Sequence, residues 1–198
     1  MARMGKGEQT RLAVLEQAAD VAARQGLSTL TIGDLATRTR LSKSGLFAHF
    51  QSKEALQLAV LAYARDKFTD EVLRPAARTK RGEARVRALF EHWLQVSRQS
   101  NAECLFVSAS AEFDDQPGPV RDQLVRDHRD CSDSIMQMFR TGVSEGDFRA
   151  DADAEQFAYD LHGIMVGFFH AHRLLGDPRA PERARRAFEA IIAAVREH

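Results

Sequence analysis

Residues 31–56, TIGDLATRTRLSKSGLFAHFQSKEAL, hold two helix-start signals in close succession. Thr31 followed by Asp34 makes a capping-box-like pair, which predicts a short helix that begins at Ile32, buries Ile32, Leu35 and Ala36, and ends near Arg38. Ser42 is a second good N-cap and opens another short helix through Lys43, Ser44, Gly45, Leu46, Phe47 and Ala48. Only Thr39, Arg40 and Leu41 separate the two. That is the spacing of a helix-turn-helix, whose second helix lies in the major groove of DNA. Here the second helix exposes Lys43, Ser44 and His49. Its small residues and Gly45 let the backbone approach DNA, while Leu46 and Phe50 anchor it.

Working outward, helical spacing recurs between Gly, Pro and Asp/Ser/Thr punctuation, and no segment alternates like a strand. Upstream, a helix is expected from about Glu8 to Arg24, with Leu12, Leu15, Ala19 and Ala22 on one face and Gly26 as its left-handed stop. Downstream, Ser52 caps a helix that carries Leu56, Val60, Leu61, Ala64 and Phe68 and is expected to end at Pro75. Further helices are expected around Val86–Val96, Cys104–Phe113 and Val120–Val143. One capped by Asp153 reaches about Leu175, and a last one runs over 181–197. The helix over 154–175 is apolar almost all round, so burial on two sides is expected. The expectation is an all-α chain of about nine helices. A three-helix head over 1–52 carries the helix-turn-helix, a helical bundle over 53–198 binds ligand and dimerises, and the helix over 53–74 connects the two.

The run Thr31–Ala36 followed by Leu41–Leu56, with Thr10, Arg11, Ala18, Ala19 and Gly26 upstream, resembles the DNA-binding signature of the TetR family of transcriptional regulators. This resemblance covers about a quarter of the chain, and its ordered combination of positions is far more specific than any single short motif. It implies a homodimer with a DNA-binding head and a variable ligand-receiving body, usually a repressor released from operator DNA by a small molecule. Carried over, Thr31, Ser42, His49 and Lys53 meet the phosphate backbone, Lys43, Ser44 and Gly45 lie at or near base edges, and Arg40 reaches either. Two positions depart from the family pattern, which usually has Gly where Arg40 stands and Tyr where Phe47 stands. Phe47 therefore lacks a phosphate-binding hydroxyl and is left to pack on the sugar backbone.

The net charge is zero, yet residues 1–56 carry eight Lys/Arg against five Asp/Glu, a mildly basic quarter that suits a phosphate-facing module. Residues 1–7 read as a loose basic tail. Cys104 and Cys131 provide no disulfide framework and suit a reducing compartment, and a buried thiol is favoured over a redox trigger at Cys104. No apolar run reaches signal or membrane-spanning length, so a cytoplasmic protein without membrane contact is expected. Phe90, Trp93, Phe106, Phe113, Phe139, Tyr159, His162, Met165 and Phe169 are the candidates for lining an effector cavity, with core packing as the alternative for each. No cofactor is indicated. His162, His170 and His172 lack the i, i+4 spacing of a metal pair, and Glu112, Asp114 and Asp115 precede Pro-Gly-Pro as an ordinary helix-end turn. No nucleophile with its base is present, so an enzyme is not expected. The rival is a helical ligand-binding protein of the same fold that no longer binds DNA.

Overall fold

A computed structural model describes residues 5–99 and 104–197. Helix α1 (Lys6–Gln25) starts two residues before Glu8 and takes in Lys6 and Gly7 of the tail expected over 1–7, whose residues 1–4 lie outside the described residues. Its buried face centres on Val14, Leu15, Ala18, Ala19 and Ala22. Leu12 does not belong to that face: it lies at the margin and stays 37% exposed. Gly26 stops the helix at φ +97°, where a side chain would be strained. A single 3₁₀ turn, Leu27–Thr29, leads to α2 (Ile32–Thr39). Thr31 caps α2 by accepting the Asp34 N–H at 3.1 Å, and its hydroxyl donates to Asp34 Oδ2 at 2.7 Å. Ser42 caps α3 (Lys43–Phe50) by accepting the Gly45 N–H at 3.1 Å. Ile32 remains half-buried, and Leu35 and Ala36 are buried.

Helix α4 begins as Lys53–Phe68, passes through a π turn at Thr69–Leu73, and continues as Arg74–Arg78. Pro75 therefore does not end it. The π turn lies directly before the proline and changes the hydrogen-bond register where proline has no N–H to donate, which accommodates the ring. The remaining helices are α5 (Glu83–Gln99), α6 (Cys104–Phe113), α7 (Pro119–Ser144), α8 (Ala154–Phe169, extended by a π turn over His170–Leu174) and α9 (Ala180–Val195). The nine helices, with an isolated bridge between Phe148 and Arg196, make up the regular structure among the described residues.

Packing divides the chain into two units, Met1–Lys67 with Ser100–Asp127, and Phe68–Gln99 with His128–His198. This division differs from the boundary expected at residue 52. In the first unit, Leu56, Val60, Leu61 and Ala64 of α4 share one core with the buried faces of α1–α3, as do Leu105, Ala109 and Phe113 of α6 and Val120 and Leu124 of α7. Asp127 is also buried here: Oδ1 accepts from Gln123 at 2.9 Å and from Arg65 at 3.4 Å, and Oδ2 has no hydrogen-bond partner among the described residues.

The second unit is built on phenylalanine stacks. Phe90 stacks on Phe188 at 4.1 Å between centroids, and Phe139 stacks on Phe148 at 4.8 Å and on Phe157 at 4.5 Å. A β-carbon at Gly142 would run into the Phe148 ring, so glycine is required there despite its cost within a helix. An ion network closes the same unit: Glu83 accepts from Arg87 at 2.6 Å and from Arg196 at 2.8 and 2.5 Å, and Arg87 reaches on to Glu189. The hydrogen bonds from Arg196, then those from Arg87, hold the Glu83 carboxyl at about 2, below its ordinary 4.5. A carboxyl lowered in the folded state stabilises it above the ordinary value and stops doing so as pH falls from 4.5 to about 2. Urea midpoints at about pH 5 and about pH 3 are therefore expected to fall more steeply in the wild type than in Glu83→Gln. Equal declines would remove Glu83 from the account of acid stability.

Candidate nucleic-acid interface

The two capped helices of the first unit are joined by Arg40, Leu41 and Ser42, with Arg40 at φ 57°, ψ 28° in the left-handed region. A backbone of that shape favours glycine, and an arginine there costs about 1 kcal/mol of strain. Arg40 thus keeps the turn geometry and adds an exposed guanidinium beside α3. Gln51, at φ 61°, is the second non-glycine residue with positive φ, and it ends α3.

Helix α3 has one buried side, Leu46 and Phe50, while Lys43, Ser44, Gly45, Phe47, Ala48 and His49 are exposed. The ring of Phe50 is covered from outside by the Arg11 guanidinium at 5.5 Å, which fixes α1 against α3. Ser44 lies beside the capping hydroxyl of Ser42 at 3.2 Å. Gly45 leaves only that hydroxyl near the space its missing side chain would fill. The Lys43 side chain lies over Gly33, close to Thr31, so the N-terminal ends of α2 and α3 meet in one polar patch. Of the nine expected DNA contacts, Thr31, Arg40, Ser42, Lys43, Ser44, Gly45, Phe47 and His49 are carried on α3, its leading turn and the start of α2. Lys53 is placed differently: its Nζ donates to the Ser28 carbonyl at 2.5 Å.

That lysine is part of a clamp on the turn between α1 and α2 that sequence reading missed. Glu112 of α6 accepts the Leu27 N–H at 3.1 Å and the Ser28 N–H at 2.7 Å, and the buried Gln57 amide donates to the Leu27 carbonyl at 2.9 Å. A side chain at Gly26 would meet the Glu112 carboxylate at 3.0 Å. The glycine therefore serves the clamp as well as the helix stop.

The nine effector candidates are divided between the two units. Phe106 and Phe113 belong to the first unit's core. Phe90 and Phe139 are fully buried in the stacks of the second, and Met165 is buried in the same core. Phe169 carries Arg173 over its ring at 5.5 Å, and Tyr159 is 75% exposed. Trp93 and His162 do meet, at 6.1 Å, within a cluster that sequence reading did not assemble: Phe68 lies edge-on to Trp93 at 5.3 Å and His128 edge-on to His162 at 5.4 Å. Burial first, and His128 second, push the His162 imidazole below its ordinary value. An open cleft of about 630 Å³ elsewhere in the second unit is lined by one of the candidates, Phe139, together with Arg140, Val143, Ala152 and Glu155 among others. Cys131 is half-buried, and the Cys104 side chain lies outside the described residues. Among the described residues no helix is long and apolar enough to cross a membrane, and no group of three His, Cys, Asp or Glu is placed to hold a metal ion.

Comparison with known proteins gives this arrangement its context. Residues 14–60 match the family model described as bacterial regulatory proteins of the tetR family, and residues 82–188 match the one described as the tetracyclin repressor-like C-terminal domain. No curated protein matches the chain. Among solved structures, a TetR transcriptional regulator from Chloroflexus aurantiacus is similar over 98% of this chain and 100% of its own, at 25% identity and TM-score 0.85. A TetR-family regulator from Cytophaga hutchinsonii covers 100% of both chains at 17% identity and TM-score 0.84. AibR, solved with isovaleryl coenzyme A and operator DNA, covers 92% of this chain and 96% of its own at 23% identity and TM-score 0.72. With the second model spanning more than half of its length and the first falling on the capped helix pair, the chain belongs to the TetR family of bacterial transcriptional regulators.

Proposed function

We propose that the chain is a cytoplasmic, homodimeric repressor that binds operator DNA through α3 and is released by a small-molecule effector. The observation that carries this reading is α3 itself, a short helix capped by Ser42 and pinned by Leu46 and Phe50, with every other side chain exposed. In a dimer the two copies would enter successive major grooves about 34 Å apart.

Helices α8 and α9 support the dimer. They pack on each other within the chain, and Phe157, Leu161, Met165 and Phe168 on one side of α8 are buried in the second unit's core. The exposed surface includes small or apolar residues, Tyr159, Gly163, Val166 and Gly167 on α8 and Ala187, Ala190 and Ala194 on α9, beside Arg183 and Arg186. Gly and Ala let two helix pairs approach closely, and a symmetric partner would supply the second burial expected of so apolar a helix. The functional division is then a head over 1–52, a ligand-binding and dimerising body over 53–198, and α4 linking them. AibR was solved with both a coenzyme A thioester and operator DNA, which favours a ligand-responsive regulator here too. The Trp93–His162–His128 cluster offers aromatic faces and imidazole nitrogens, the pairing of groups a small-molecule site needs.

The test is salt-dependent protection of the DNA flanking the chain's own coding region, followed by selection from a randomised duplex pool. A protected palindrome is expected. Lys43→Ala, with dimerisation intact, is expected to weaken binding roughly tenfold and to lower the salt slope. Failure to protect or select any duplex would refute the DNA reading and favour a ligand-binding protein without an operator.

A further inference from the structure

Phe47 is the largest exposed apolar side chain of the first unit, at 57%, and it stands on α3. Its neighbour Phe50 is buried under Arg11, yet the Phe47 ring makes no aromatic or cation contact among the described residues. Lys43 precedes it by four residues and Ser44 by three, so both lie next to it on the exposed surface of the helix. Lys43 and Ser44 open α3, the part of a recognition helix that contacts base edges, and Phe47 follows one turn further along.

A phenyl ring has no donor for phosphate and none for the polar edges of the bases. It gains free energy only by covering apolar surface. On the major-groove edge of the bases the apolar group is the C5-methyl of thymine. We infer that Phe47 is a specificity-determining residue that reads a thymine methyl in each operator half-site, flanked by the polar contacts of Lys43 and Ser44. The inference rests on the proposed entry of α3 into the major groove. It goes beyond backbone packing, because a ring lying on the sugars would hold the helix in place without preferring any base.

Deoxyuridine tests this directly, since it pairs as thymine does and lacks only the methyl. The probe is the duplex selected by the full-length wild-type protein, with each thymine of the half-site replaced in turn. At one position, replacement is expected to weaken binding about four-fold, the value of one buried methyl group, and about fifteen-fold when made in both half-sites. Phe47→Ala should bind the parent duplex more weakly and lose that sensitivity, and Phe47→Leu should retain part of it. Phe47 is exposed, so both variants are expected to fold, which thermal melting checks. Two results would overturn the inference: a wild type indifferent to deoxyuridine at every thymine, or Phe47→Ala with undiminished sensitivity, which would move the reading to a neighbour such as Ala48. A selection that returns no duplex would instead overturn the groove reading, and this inference with it.

Discussion

Phe139→Ala is expected to lower the stability of the second unit by about 3–5 kcal/mol, the usual cost of truncating a buried phenylalanine. Its ring is fully buried and lies in stacking contact with Phe148 and Phe157, so it ties α7 to the segment leading into α8 and to α8 itself. Removing it deletes two aromatic contacts and leaves a cavity that the neighbours fill poorly. Gly142 is already in contact with the Phe148 ring, and the main chain at Arg149 is bound to the Val195 carbonyl at 2.9 Å. The chain's single tryptophan, Trp93, reports on this unit. Urea unfolding followed by its fluorescence should show a lower midpoint, while binding of the selected duplex by the still-folded protein changes less. A loss below about 1 kcal/mol would mean that the stack is not a principal support of this unit.

What sequence revealed here depended on how local each signal is. Thr31, Ser42 and Asp153 cap the helices expected of them, because a capping bond spans two or three residues and needs no partner from elsewhere. Helix starts and stops were legible for the same reason, with Pro75 the exception, since the π turn that absorbs it has no simple signature. The face of α1 was displaced by one position because Leu12 is as apolar as its neighbours, and only packing leaves it at the margin. Aromatic residues were the least legible. Composition could not separate Phe113, in one core, from Phe139, in another, nor show that Tyr159 points outward. His128 was passed over because its partners come from α8, far along the chain. Glu112 looked like part of a helix-end turn. Its actual partners, Leu27 and Ser28, lie 85 and 84 residues away.

Glu112→Ala is therefore expected to have an effect out of proportion to a half-buried surface carboxylate. The two backbone N–H groups it satisfies are partly buried, and hydrogen bonds to a charged acceptor are the stronger kind. Their loss should destabilise the first unit by about 2–3 kcal/mol, whereas Glu112→Gln, which keeps one acceptor oxygen, should lose roughly half of that. The direct readout is amide exchange: Leu27 and Ser28 should exchange faster in the variant, while the amides in the middle of α1 should not. Unchanged exchange at Ser28 would show that the clamp does not hold the turn in solution. The consequence reaches function because of where the clamp lies. Glu112 falls within residues 82–188, the segment that matches the C-terminal regulatory domain, yet its carboxylate grips the turn that leads into α2. The carbonyls of the same turn accept from Lys53 and Gln57 of α4. A movement of α6 would thus be felt at the turn through these hydrogen bonds as well as through the shared core, and loosening them should leave the start of α2 less firmly held. Glu112→Ala is accordingly expected to bind the selected duplex several-fold more weakly and to respond less to any effector that releases the wild type.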